Sequence, residues 1–121
     1  MSTRRRKLGA LGERLARARL EGQGYLILEA NWRSSSGEID LVAQKGDQLI
    51  FVEVRTRQGR SYGLPEESLS GAKRKRLITL AEEYLQGCLS PYADWRVDVV
   101  AVEFSAQGIL ERIEHIENAL F

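Results

Sequence analysis

This chain of 121 residues has one cysteine, one histidine and two prolines, and only 7% of its residues are aromatic. Each scarcity excludes something. A lone Cys88 cannot close an intramolecular disulfide or build a cysteine-based zinc site, and it fits a reducing cytoplasm. A lone His115 gives little support to catalysis that couples a histidine base to a serine or cysteine nucleophile. No run of about 18 apolar residues occurs, so nothing reads as a membrane span and no membrane partner is expected. Arg4-Arg5-Arg6-Lys7 is followed by no apolar stretch, unlike a secretory signal. Glycine-rich phosphate cradles of the GxGxxG or GxxxxGK type are missing as well. There is no internal repeat and no linker. With 43% hydrophobic and 29% charged residues, the sequence reads as one soluble domain over 1–121, large enough to bury a core.

What is present is unevenly charged. The net charge of +1 conceals 16 Lys or Arg against 9 Asp or Glu in residues 1–76, and 2 against 8 in residues 77–121. A basic N-terminal portion is the footprint expected of a surface that meets phosphates, although helices also carry solvated basic faces.

The most informative stretch is GEIDLVA at 37–43 followed by FVEVR at 51–55. Both alternate apolar and polar residues, the period of half-buried strands. Gln44 to Gln48 between them is a turn signal, so the two runs form an antiparallel hairpin. A two-residue loop at Gly46-Asp47 sets Asp40 opposite Glu53 and Glu38 opposite Arg55. These four side chains then share one side, while Ile39, Leu41, Ala43, Ile50, Val52 and Val54 cover the other. Opposed like charges destabilise a sheet. At an effective dielectric of about 20, two carboxylates roughly 5 Å apart repel by about 3 kcal/mol before screening. Exposure to water, protonation of one acid or a bound cation relieves this. A hard divalent ion such as Mg²⁺ suits one or two carboxylates, with water and phosphate oxygens completing its shell.

Around the hairpin, residues 3–23 read as a helix with Leu8, Leu11, Leu15 and Ala18 in one stripe, ended by Gly22 and Gly24. Tyr25 to Arg33 is a first strand, and Ser34-Ser35-Ser36 a flexible polar link. Gln58 to Pro65 is a loop. Ser70 caps a second helix over 71–87, whose Leu77, Leu80, Ala81, Tyr84 and Leu85 repeat at helical spacing. Arg96 to Phe104 is a strand, and Gln107-Gly108 turns into a last one near 109–115. Residues 117–121 form a short helix or a docked tail. The fold class is therefore α/β, with a mixed central sheet flanked by helices and a parallel crossover through the second helix.

An acid ending one strand, then Glu-x-basic on the next, on an αβββαβ frame, resembles the PD-(D/E)xK or restriction-endonuclease-like superfamily, which includes archaeal Holliday-junction resolvases. More closely, the chain resembles the YraN family of small bacterial proteins, described as endonucleases. The matching residues run nearly end to end: Gly12-Glu13 with Ala16, Asn31 and Arg33, GEIDLVA at 37–43, FVEVRTR at 51–57, YGLPEE at 62–67, Lys73 to Leu77, Ala81, Tyr84-Leu85, Arg96 to Val100, and Ile113 to Ile116. The resemblance implies a Mg²⁺- or Mn²⁺-dependent nuclease that hydrolyses phosphodiesters in nucleic acid, in DNA rather than RNA and in branched DNA by analogy with the resolvases. It makes Asp40 and Glu53 the metal ligands, with the Val54 carbonyl as a third. Glu13 becomes the helix-borne acid beside the metal, and Glu38 an accessory acid behind it. Arg33, Arg57, Arg60 and the Lys73-to-Arg76 run would track the backbone. A resolvase-like chain needs a homodimer to cut two strands, but no self-complementary apolar patch is legible.

One residue departs from the pattern. Arg55 stands where the superfamily motif has lysine. Arginine keeps the charge and clamps phosphate with two parallel bonds, yet it cannot act as a base. Proton abstraction then falls to a metal-bound hydroxide or to Glu38. Two other readings stay open: a catalytically inactive nucleic-acid-binding module on a nuclease frame, and a protein-docking domain with an acidic face. Trp32 and Tyr62 are candidates to stack on bases, against ordinary packing at strand ends. Asp98 is expected to pair with Arg96, and His115 to be structural.

Overall fold

A computed structural model describes residues 3–59, 70–88 and 94–120. Its elements are α1 (Thr3–Gly22), β1 (Leu26–Ser34), β2 (Gly37–Lys45), β3 (Gln48–Gln58), α2 (Gly71–Gln86), β4 (Asp94–Phe104) and β5 (Leu110–Ile116). The sheet keeps chain order, β1-β2-β3-β4-β5. Every neighbouring pair is antiparallel except β3 and β4, which run parallel and are joined through α2. This is the expected αβββαβ frame, extended by β5 at one edge.

Local chemistry fixes the boundaries. Ser70 accepts the Lys73 amide and caps α2, and the Gly87 amide closes its other end on the Tyr84 and Leu85 carbonyls. Lys45 pairs with Gln48 across the Gly46-Asp47 loop, where Gly46 takes φ +60°, a left-handed value that needs glycine in most turns. The register runs as expected from there to the pair Leu41–Val52, where the regular ladder ends. Asp40–Glu53 and Glu38–Arg55 are therefore not ladder partners. Glu38 pairs instead with Arg33 on β1.

The sheet is covered on both faces, which corrects the reading of one core side and one charged side. Leu41, Ala43, Ile50, Val52, Val100 and Val102 pack with Ala16 and Leu20 of α1. Val42, Leu49, Phe51 and Val97 pack with Leu77, Leu80 and Ala81 of α2. Since β3 lies inside the sheet and its parallel join carries a helix onto one face, both sides of that strand are buried. Ile39 also moves: expected beside Leu41, it belongs to the α2-side cluster. Strand β2 thus loses its strict alternation around Asp40.

The serine link is a clamped turn rather than a flexible one. Ser34 and Ser36 hydroxyls donate to the two carboxylate oxygens of Glu83 on α2, at 2.7 and 2.8 Å. Ser34 and Gly37 already pair across it. Past β5 the tail docks: the Ala119 amide donates to the Val97 carbonyl at 2.8 Å. No helix among the described residues is long and apolar enough to cross a membrane.

Candidate metal centre at the β2–β3 fork

Beyond Leu41 and Val52 the two strands give up their ladder, and a side chain takes over. Asp40 Oδ2 accepts the Val54 amide at 2.8 Å. Glu53, only 6% exposed, stands against the Asp40 carboxyl. On the α1 side, carboxylate oxygens of Glu13, Glu38 and Asp40 lie within 4.8 Å of one another. Glu13 gets there because its neighbour is glycine. Helix α1 sits so close to β3 that a Cβ on Gly12 would meet Thr56 Oγ1 at 2.3 Å.

Asn31 organises the acids. Its Nδ2 donates to Glu38 Oε1 at 2.6 Å and to Glu13 Oε2 at 3.3 Å. The residue holds φ +56°, a left-handed conformation that Asn tolerates better than most residues. Arg33 Nε lies 3.4 Å from Glu38 Oε2. Glu38 thus belongs to the same acidic cluster as Glu13 and Asp40. Asn31 was visible in the sequence only as a motif match without a role, because its partners are 7 and 18 residues away in the chain.

Crowding shows in the electrostatics. Burial, then the hydrogen bond with Glu53 and the charge of that group, push the Asp40 carboxyl up to about 9. The charge of Glu13 adds to this, and the Val54 amide works against it. With no cation beside it, burial and the neighbouring Glu53 therefore favour the protonated form of Asp40. Glu53 Oε2 is buried and has no aligned hydrogen bond among the described residues. It is paired with Lys73 of α2, whose Nζ lies at 3.0 Å, at hydrogen-bond distance without hydrogen-bond alignment. Lys73 was expected on a phosphate-tracking surface. A contact spanning 20 residues between a strand and a helix leaves no local signal in sequence.

The other basic candidates among the described residues lie on β3 and α2. Arg55 and Arg57 are half-buried along β3, and Arg57 Nε finds no hydrogen-bond partner among the described residues. Arg76 is exposed on α2. Arg60, Tyr62 and YGLPEE lie outside the described residues. Trp32 packs edge-to-face on Tyr84, with ring centroids 5.3 Å apart, in the α2-side core.

Asp98 behaves as expected of a structural acid. It is fully buried, bound by Arg96 Nε at 2.8 Å, His115 Nε2 at 2.7 Å and the Asn118 amide at 2.9 Å. Burial alone would raise its pKa, yet these bonds from His115, Arg96 and Asn118 together hold it below the usual value.

The fork fits a hard divalent cation. Its donors are carboxylate oxygens, the ligands that Mg²⁺ and Mn²⁺ favour. A buried oxygen of Glu53 lacks an aligned bond, and a cation would relieve the crowding that raises the Asp40 pKa.

Fold and site together define an α/β protein of αβββαβ order with a carboxylate cluster where its central strands divide. The chain belongs to the UPF0102 (YraN) family: the family model described as "Uncharacterised protein family UPF0102" matches residues 12–102. Among its relatives, a UPF0102 protein of Chloroflexus aurantiacus is 48% identical over 121 residues, covering 99% of this chain and 98% of its own. One from Pelotomaculum thermopropionicum is 45% identical over 119 residues, covering 98% and 99%. A third, from Symbiobacterium thermophilum, is 47% identical over 114 residues, covering 94% and 96%.

Proposed function

We propose that this protein is a Mg²⁺- or Mn²⁺-dependent nuclease that hydrolyses phosphodiester bonds in nucleic acid, with DNA as its substrate. The observation that carries this reading is the Asp40–Glu53 pair, two carboxyls held together in a buried fork with one oxygen lacking an aligned bond. Such a pair is costly without a cation and useful with one. Asp40 and Glu53 would hold the ion, and Glu13 and Glu38 lie beside Asp40 on the α1 side of the fork. When bound, the cation neutralises charge on the phosphate and favours ionisation of the attacking water.

The residues do the rest. Water forms a bond to phosphorus as the bond to the departing sugar oxygen breaks on the opposite side. Glu38, held by Asn31 and Arg33, takes the proton of the water, and the departing oxygen takes one from solvent. Arg55 stabilises the charge that builds on the phosphate.

A second reading has its own support. Arginine in place of the motif lysine favours a binding module that keeps the nuclease frame without cutting. Calorimetric titration with Mn²⁺, followed by cleavage assays on single-stranded, duplex, flap and four-way-junction DNA, separates the two. Cleavage abolished by Asp40→Ala and by Glu53→Ala is the expected result. Cleavage that survives either change sinks the proposal, and Mn²⁺-dependent binding without cleavage selects the second reading.

A further inference from the structure

We propose that Lys73 supplies, from the first turn of α2, the ammonium that strand position 55 lacks, and that it contacts the scissile phosphate beside Glu53. The inference rests on the nuclease reading and adds a residue to it.

Three observations carry it. Lys73 Nζ lies 3.0 Å from Glu53 Oε2, yet the pair lacks hydrogen-bond alignment, so the donors of the ammonium are not committed to that oxygen. The lysine also stands against local electrostatics. The first turn of α2 contains no acid and begins Gly71-Ala72-Lys73-Arg74, although the N-terminal end of a helix disfavours cations. A residue that breaks a local rule without local compensation marks a site where another requirement dominates. Finally, the Lys73 side chain is only 30% exposed, so its stem is directed inward to the fork.

Chemistry explains the choice. The guanidinium of Arg55 is a planar fork with five donors, suited to clamping two oxygens side by side. An ammonium is a compact charge with three donors, able to meet one phosphate oxygen while lying near a carboxylate. Arginine on β3 and lysine on α2 together present both functions. The proposed role needs the charge of Lys73 and its donors, and no change in its protonation.

The test uses Lys73→Met, which keeps the stem and removes the charge, and the double variant Arg55→Lys with Lys73→Met. Cleavage of the preferred DNA with Mn²⁺ should fall about a hundredfold in Lys73→Met, as for loss of one transition-state donor. Restoring a lysine at position 55 should recover at least about tenfold of that loss. A purely structural lysine would not be replaced from another element, so a failed rescue overturns the inference, as does Lys73→Met cutting within twofold of the natural chain. Mn²⁺ affinity gives a second readout that needs no turnover. Removing a positive charge beside Glu53 should tighten Mn²⁺ binding by roughly three- to tenfold, whereas a lysine that only supports the fold leaves it unchanged or weaker. If the natural chain cuts nothing, the nuclease reading fails by itself, and the Mn²⁺ titration then decides whether Lys73 belongs to the centre.

Discussion

Gly12 lies against Thr56 so tightly that a Cβ on the glycine would sit 2.3 Å from Thr56 Oγ1. Alanine there gains about 1 kcal/mol of helix propensity, but overpacking costs about 1–3 kcal/mol. Gly12→Ala should thus lower stability by about 1 kcal/mol net and displace Glu13 from the cluster. Thr56→Ala removes the clashing oxygen, so the double variant should regain most of that loss. Denaturant melts of the four proteins in a mutant cycle check the coupling.

The raised pKa of Asp40 predicts a pH slope for the cation-free protein. Unfolded, this carboxyl loses its proton near its ordinary 3.8; folded, it keeps it to about 9. Between those values the folded state binds more protons, so stability declines as pH rises through that window. Asp40→Asn mimics the protonated form. It should flatten the slope and raise the melting temperature at pH 8 by a few degrees, measured by thermal melts from pH 5 to 9. A slope unchanged by Asp40→Asn would show that another group sets it.

Glu83 holds the turn that launches β2. The hydroxyls of Ser34 and Ser36 hold its carboxyl below the usual range. The stabilisation it gives is present above its ordinary pKa and fades as pH falls through the lowered one. Glu83→Ala should speed amide hydrogen exchange at residues 35–37 by roughly tenfold or more, with little change in the global melt, as expected for local opening.

Asp98 is the control for the acids of the fork. Its partners are Arg96, His115 and the tail, none of them in the cluster. Asp98→Ala takes the buried acid away from half-buried Arg96 and His115, at a cost of about 3 kcal/mol. Mn²⁺ affinity should stay within twofold of the natural chain at temperatures where the variant is folded. A large loss of Mn²⁺ binding would assign this acid to the wrong class.

The sequence was informative where neighbours in the chain are neighbours in space. The Gly46-Asp47 loop, the register from Lys45–Gln48 to Leu41–Val52 and the Ser70 cap all follow from spacing and turn chemistry. Spacing carries no such information where distant elements decide. Alternation in FVEVR suggested one wet face, but the parallel join to β4 brings α2 over it, so Phe51 and Val42 are as buried as Val52. The loss of alternation around Asp40 has no composition signal, so a strict period of two sets Ile39 beside Leu41 while the fold turns it toward α2. Carboxylate crowding was legible as a conflict of charge, whereas the organiser Asn31 and the cation Lys73 became visible only once β1 and α2 were in place.

The fork lies between two cores, and this makes its chemistry a gauge of the whole domain. Glu13 is held at a height set by Ala16 and Leu20 beneath α1, and Lys73 at one set by Leu77 and Leu80 beneath α2. The distance from Glu13 to Asp40 is then set by one packing height, and the distance from Lys73 to Glu53 by the other. A methylene added or removed under either helix retunes the matching distance without touching a charged residue, so drift in the cores is also drift in the chemistry.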